Sequence, residues 1–287
     1  MTRCTIVIAT YNRRRVLAAT LRRLRALPES PPIVVVDNGS RDGTARLVRR
    51  EAPDVRLIVL PENIGAAART IGARTASTPY VAFCDDDCWW EPGAIPLAVA
   101  RLDAQPGVAV VNARVVVRED EDDEACTLMA ASALPKRTAY PGRAIGQFMA
   151  GASIVRRDAF LAAGGYDRRY LIGAEESLLA IDLLERGWEL IYDDDVVLHH
   201  APSHVARHTA LRRTLVMRNR LWTSWLRRSP RAAARATLRL VGAALRDPAA
   251  RAALASALRG LPWVVRERRP VHARVERLME TLVELPA

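Results

Sequence analysis

The sequence predicts an α/β fold with a mostly parallel central sheet flanked by helices, followed by a helical C-terminal appendage. Three observations carry that reading. Short apolar runs rich in β-branched residues alternate with helix-period segments over residues 4–84, the pattern of a parallel sheet covered on both faces. Polar clusters stand at the carboxyl ends of those runs, where open sheets of this kind bind ligands. From residue 204 the pattern becomes Arg-rich and helical, punctuated by Pro230, Pro248, Pro262 and Pro270.

The elements follow in order. Residues 4–9, CTIVIA, read as the first strand, ended by Thr10-Tyr11-Asn12-Arg13. Val16, Leu17, Thr20, Leu21, Leu24 and Leu27 then recur at helical spacing over residues 16–27. A second strand, PPIVVVD (31–37), leads through Asn38-Gly39-Ser40 to a helix for which Thr44 is a candidate N-cap. The third strand, VRLIVL (55–60), runs into Asn63-Ile64-Gly65 and an Ala-rich helix, and the fourth, YVAFC, ends at Asp85-Asp86-Asp87. Three adjacent carboxylates repel one another and resist desolvation, so an arrangement more specific than a solvated acidic loop needs positive charge. A divalent cation with a preference for hard oxygen, Mg2+ or Mn2+, is the natural candidate. Four polar clusters, Thr10–Arg13, Asp37–Ser40, Asn63–Arg69 and Asp85–Asp87, are thereby expected in one crevice.

Taken together, TYNR, VVDNGSRDGT, ENIGAAARTIGA and FCDDD resemble the nucleotide-sugar half of a family-2 glycosyltransferase with the GT-A fold. QFMAGASIVRRDAFLAAGGYD (147–167), GAEESLLAIDLLERGW (173–188) and VVLHHAPS (196–203) continue the likeness, which covers roughly residues 4–225 in the family's order and spacing. The resemblance implies a GT-A catalytic domain over residues 1–203, with a nucleotide-sugar half (1–110) and an acceptor half (111–203), before an Arg-rich helical region (204–287). It implies an inverting, metal-dependent transferase using a nucleoside-diphosphate sugar donor and a hydroxyl-bearing acceptor. Asp37 would bind the nucleotide base in a pocket lined by Thr10 and Tyr11, with Asn12, Arg13, Asn38 and Asn63 in the same donor-binding set. Arg69 would reach the base or the diphosphate. Asp85 and Asp87 match the two acidic positions of the DxD motif as metal and donor anchors, and Asp86 would meet the donor sugar.

In the second half, Glu176 aligns with the family's catalytic base, usually Asp, with Glu175 beside it. A bland alternative is that both favour a helix N-terminus. Where many relatives carry an acidic and a basic residue later in this helix, this chain has Leu178 and Asp182, which concerns the acceptor side. Trp90 and Gly151 are assigned to acceptor binding, Trp89 being open between sugar stacking and core. Adjacent residues of a strand face opposite ways, so at most one of His199 and His200 enters the site; the resemblance implies a metal-binding His here and its spacing to Ser203 favours His199, an ordinary surface histidine being the alternative. Asp193–Asp195 and the charge run 118–125 read as a solvated turn and a solvated loop.

Cys4, Cys84, Cys88 and Cys126 form no paired framework and read as small buried residues of a reduced compartment, two thiols beside the triplet being poor grounds for zinc. From His204 onward 18 arginines face five acids, a net +13 that leaves residues 1–203 at −2 within a chain of +11. Arg-rich faces beside Trp222, Trp225 and Trp263 suit peripheral contact with an anionic membrane, the alternative being a bundle packed on its own catalytic domain. No module for nucleic acid is evident. With no signal peptide and no apolar run of transmembrane length, a cytoplasmic location is expected, with the inner face of the plasma membrane as the site of any bilayer contact. The place after the first strand holds TYNRRR, which excludes G-x-G-x-x-G dehydrogenase and P-loop readings and disfavours a nucleotidyltransferase. A catalytically degenerate sugar-nucleotide-binding module stays as the non-enzymatic alternative.

Overall fold

The computed structural model describes residues 2–118, 121–202 and 210–281. Strand β1 (Cys4–Thr10) leads to α1 (Arg14–Arg25), β2 (Ile33–Asp37) to α2 (Thr44–Glu51), β3 (Arg56–Val59) to α3 (Ala67–Thr75), and β4 (Tyr80–Cys84) to the acidic triplet. There follow β5 (Cys88–Trp90), α4 (Ala94–Ala104), β6 (Val108–Arg118), β7 (Glu121–Asp122), α5 (Glu124–Ala130) and β8 (Arg143–Ile145). A 3-10 turn, Ala150–Ala152, precedes β9 (Ser153–Arg156) and α6 (Arg157–Ala162); α7 (Glu175–Glu185) opens with the paired glutamates and β10 (Glu189–His200) closes with the paired histidines. The appendage comprises α8 (Ala210–Arg227), α9 (Pro230–Ala244), α10 (Pro248–Arg259), α11 (Leu261–Glu267) and α12 (Ala273–Glu280).

The sheet runs β3-β2-β1-β4-β9-β6-β10-β5, with β7 on β6 and β8 on β10. β1 to β4 are parallel neighbours, and β6 with β10 is parallel; β9 joins the two groups by running antiparallel to both β4 and β6. Register then places the site. Thr10 at the end of β1 sits opposite Asp37 at the end of β2, while β4 pairs its last residue, Cys84, with Ile8, so the triplet emerges beside Thr10. α3 approaches β1 closely at Gly72, where a Cβ would stand 2.3 Å from Val7 Cγ1.

Several local expectations are corrected. Gly43, in the left-handed region at φ 87°, precedes α2, and Asp42 accepts from the Thr44 amide and hydroxyl, so Asp42 does the capping assigned to Thr44. The acidic triplet 193–195 is no turn and is solvated only in part: it lies within β10 at an irregularity of register against β6, with Asp194 and Asp195 exposed. Asp193 is fully buried, accepting from Arg101 at 2.6 and 2.7 Å and from the Tyr140 hydroxyl at 2.9 Å. A guanidinium and a phenol there replace the water that exposure would have supplied. Within the charge run, Asp123 caps α5 by accepting from the Ala125 amide. The expected boundary at residues 203 and 204 and Ser203 lie outside the described residues.

The appendage builds its own apolar cluster around Tyr170, Leu221, Trp222, Leu226 and Val264. Trp222 is buried, meets Trp263 edge-on at 5.1 Å and donates Nε1–H to the Ala257 carbonyl; Trp225 donates to Thr237. The three tryptophans expected at a bilayer surface are thus used in packing within the appendage. Arg227 grips Asp182 of α7, Arg228 pairs with Glu276, and Arg169 with Glu267, tying the helices to each other and to the sheet domain. Among the described residues no helix is long and apolar enough to cross a membrane.

Candidate active site

Two adjoining cavities open at the carboxyl ends of β1, β2 and β4. One, of about 540 Å3, is lined by Thr10, Tyr11, Arg13, Asn38, Asn63 and the acidic triplet. The other, of about 410 Å3, is lined by Cys88, Gly151, Glu175, Glu176 and His200. Arg69, Asp85, Ile172 and Arg212 belong to both, so the two are compartments of one cleft, each of a size that suits part of a small-molecule ligand. A larger cavity of about 650 Å3 lies behind α5, beside Leu128, Met129, Ile145 and Leu278, and no acidic side chain lines it.

The triplet is neutralised by arginines. Asp86 and Asp87 are buried at 8 % and 4 % exposure. Thr10 donates to Asp86 at 2.7 Å, and Arg13 reaches Asp86 at 3.2 Å and Asp87 at 2.8 Å. Arg69, half-buried on α3, pairs with Asp85. Burial raises the Asp86 carboxyl to about 6, against the opposing pull of Thr10 and Arg13. Asp37, at the end of β2, is fully buried and lines neither cavity; one carboxylate oxygen accepts from the Ser40 amide, and the other, Oδ2, is buried without a partner. A carboxylate oxygen left so is costly in the folded chain and is the kind of acceptor a ligand N–H satisfies.

The three asparagines hold the surrounding loops. Asn38 accepts from the Ile64 amide and donates to the Gly65 carbonyl, Asn63 accepts from the Gly65 amide, and Asn12, at φ 53°, joins Ser40 and Arg41. Asn38 and Asn63 face the cavity; Tyr11, 45 % exposed, forms its rim.

On the opposite wall Glu175 and Glu176 begin α7. Glu175 is buried, and its Oε2 has no hydrogen-bond partner. Burial raises the pKa of both carboxyls, and the charge of Glu175 raises Glu176 further, against the attraction of Arg69 and Arg212. The segment before them is strained: Leu171, Gly173 and Ala174 take φ of 62°, 85° and 59°, a region that costs non-glycine residues of order 1 kcal/mol or more each. Asn219 of α8 holds it in place. Fully buried, Asn219 donates from Nδ2 to the carbonyls of Tyr170, Ile172 and Gly173 at 2.9, 3.3 and 2.6 Å. On the other side Leu171 accepts from the Ala66 amide at 2.7 Å, and a Cβ on Gly65 would fall 1.7 Å from that carbonyl oxygen. Gly151 abuts Asp85, whose carboxylate atoms lie 2.4 Å from where a Cβ would be.

Two assignments change. His199 points away from the cleft: its ring stacks on Trp89 at 5.3 Å and its Nε2 meets Glu91. His200 is the buried one, with Nε2 3.5 Å from Asp87 Oδ1. Trp90 is fully buried in the core, not an acceptor platform, and Trp89 lies under the Arg23 guanidinium of α1 at 3.6 Å. Antiparallel pairing of β5 with β10 decides the histidines, since it puts Cys88 and His200 on one face and Trp89 and His199 on the other; Trp90 shares the face of Cys88, opposite Leu198, and is covered there by the core. Asn219 and Arg212 escaped sequence reading because nothing local marks a helical Asn or Arg in an Arg-rich tail. For a divalent ion the fit is good: ligand atoms of Asp87, Cys88 and His200 lie within 4.8 Å of one another.

The fold and cleft define a GT-A glycosyltransferase, an enzyme acting on sugars. More particularly, the chain belongs to Glycosyl transferase family 2, whose sequence profile matches residues 5–162. It is 26 % identical over 245 residues to an N-acetylglucosaminyl-diphospho-decaprenol L-rhamnosyltransferase of Mycobacterium tuberculosis, covering 71 % of this chain and 78 % of the relative. A shorter match, 42 % over 87 residues, covers 28 % of this chain and 19 % of a validoxylamine A glucosyltransferase of Streptomyces hygroscopicus subsp. limoneus. Among solved structures, S. aureus TarS with UDP-GlcNAc has a TM-score of 0.64 at 17 % identity, over 96 % of this chain and 84 % of that one. The Pyrobaculum calidifontis mannosyltransferase PcManGT, with GDP-Man and Mn2+, has a TM-score of 0.60 at 23 % identity, over 97 % and 79 %.

Proposed function

We propose that this enzyme is an inverting, metal-dependent glycosyltransferase that moves a sugar from a nucleoside-diphosphate donor to an acceptor hydroxyl. The observation that carries the reading is the shared wall of the two cavities: Asp85 and Arg69 line both, and the glutamate pair lines the second. A donor anchor and a candidate base therefore meet where the two ligands would. The nucleotide occupies the cavity beside Tyr11 and Asn38, and a side-chain shift at the end of β2 lets its base offer an N–H to the buried, unpaired oxygen of Asp37. Arg13, Arg69 and Arg212 are the cations available to the diphosphate.

Glu176 takes the acceptor's hydroxyl proton as that oxygen bonds to the anomeric carbon. The bond from that carbon to the diphosphate breaks, its electron pair leaves on the phosphate oxygen, and one displacement inverts the centre. Glu175 raises the proton affinity of Glu176. A divalent ion held by Asp87 and His200, with Asp85 nearby, would when bound supply further neutralisation of the leaving diphosphate. The relatives support a hexose or deoxyhexose as the sugar, in cell-envelope or secondary-metabolite glycosylation. Contact with an anionic bilayer is supported by α9 and the two residues after it, where Leu238, Val241 and Leu245 are exposed among Arg231, Arg239 and Arg246.

A thermal-shift panel of UDP, GDP, dTDP and CDP sugars, with and without Mn2+, tests the donor site, because a ligand of the native state raises apparent stability. One nucleotide class is expected to stabilise the protein in the presence of metal. Glu176→Gln is expected to keep that shift and lose transfer. A null panel favours the non-catalytic module, and a product of retained anomeric configuration overturns the single displacement.

A further inference from the structure

Cys88 stands one residue beyond the acidic triplet, and the sheet sets it against His200. The two are directly opposed on antiparallel β5 and β10, so their side chains share a face at close range. Asp87, Cys88 and His200 are all more than nine-tenths buried. Cys88 Sγ lies 3.7 Å from Asp87 Oδ1, and His200 Nε2 lies 3.5 Å from the same oxygen. Cys88 and His200 both line the cavity of the glutamate pair. Cys84, the other thiol beside the triplet, is directed elsewhere: fully buried, it donates to the Cys88 carbonyl and lines neither cavity.

We propose that Cys88 is a third protein ligand of the metal site, making it a carboxylate–imidazole–thiolate set that prefers Zn2+ or Co2+ to Mg2+. This rests on the metal-dependent reading given above and refines it. Mg2+ binds through oxygen and keeps most of its waters, whereas imidazole and thiolate donors suit borderline ions. Three protein ligands also leave a position for a fourth, the pattern of catalytic rather than structural zinc; a phosphate oxygen of the donor is the ligand that the cleft would bring there. On binding, the Cys88 thiol passes its proton to solvent and its sulfur becomes the ligand.

The test is titration of metal-free protein with Co2+, followed by absorption spectroscopy and calorimetry. The wild-type protein is expected to bind Co2+ with a near-ultraviolet thiolate-to-cobalt charge-transfer band, and to bind Zn2+ more tightly than Mg2+. Cys88→Ser is expected to lose the band and to weaken Zn2+ and Co2+ binding by at least about tenfold, the scale of an altered metal environment. Cys84→Ala is expected to keep the band. Circular dichroism checks folding, and Cys88→Ala serves if the serine variant does not fold. Co2+ uptake without the band, or an undiminished band in the Cys88 variants, overturns the thiolate ligand and leaves the metal-dependent reading intact. No uptake of any divalent ion, with or without a nucleoside diphosphate, overturns both.

Discussion

Gly151 and the glutamate pair show how single residues set the cleft's chemistry. Gly151 does not occupy the left-handed region, so alanine fits its backbone; the methyl instead meets the Asp85 carboxylate, the mobile end of a side chain. Gly151→Ala is expected to leave the melting temperature within about 2 °C while weakening donor binding about tenfold, measured by calorimetry, because an ionic anchor displaced by an ångström loses most of its value. Glu175 acts through charge. Its folded-state pKa is raised, so between the ordinary glutamate value and that raised value the unfolded chain is ionised while the folded chain keeps its proton. Stability therefore falls as pH rises across that window. Glu175→Gln is expected to stabilise the protein at pH 7 and to change little at pH 4, read from urea denaturation at both values. By removing a negative neighbour it also lowers the Glu176 pKa, and the acidic limb of the kcat–pH profile moves to lower pH. At this scale the sequence was legible where a residue ends a strand and opens on the cleft, as with Asp85–Asp87. It misled at His199, because facing is set by pairing between β5 and β10, a contact between residues more than a hundred positions apart, and at Trp90, whose ring is covered by the core although it shares the face of Cys88.

The decisive element is the segment Tyr170–Ala174 with the helix that clamps it. Three left-handed residues in a row of four are stable only if something outside them compensates, and Asn219 donates to the carbonyls of Tyr170, Ile172 and Gly173 within and beside that run. Asn219→Leu strips all three and buries a mismatched side chain; a loss of about 2–4 kcal/mol is expected, with kcat falling more than KM rises, since the base moves while the donor wall stays. Restored kcat in Asn219→Asp or unchanged stability in the leucine variant would contradict this clamp. The alternation of strands and helices through β4 was readable because each element carries its own period. The clamp was not, since α8 lies beyond the last recognisable strand and its polar residue looks like any other in a basic helix. Likewise Asp193 read as solvent-exposed because the partners that allow its burial, Arg101 and Tyr140, come from distant elements.

At the scale of the molecule, one sheet carries both compartments, since β9 bridges the β1–β4 group to β6 and β10. The basic appendage leans on this sheet through Arg227–Asp182 and the Tyr170–Trp222 contact, while its outer helix keeps an apolar stripe among arginines. Vesicle co-sedimentation is expected to retain the enzyme on phosphatidylglycerol vesicles and not on phosphatidylcholine. Leu238→Asp combined with Leu245→Asp is expected to release it without altering transfer to a soluble acceptor. Net charge was plain in the sequence; its division between internal pairs and the exposed α9 face required the packing. The Ala66–Leu171 hydrogen bond has a kinetic consequence. It spans from the loop beside the proposed donor pocket to the segment before the proposed base, with Gly65 leaving no clearance for slippage, so a nucleotide that settles the first loop also settles the second. Substrates should then add in a compulsory order, donor leading, and a dead-end acceptor analogue should inhibit uncompetitively against the donor; random addition would show the two loops to be independent.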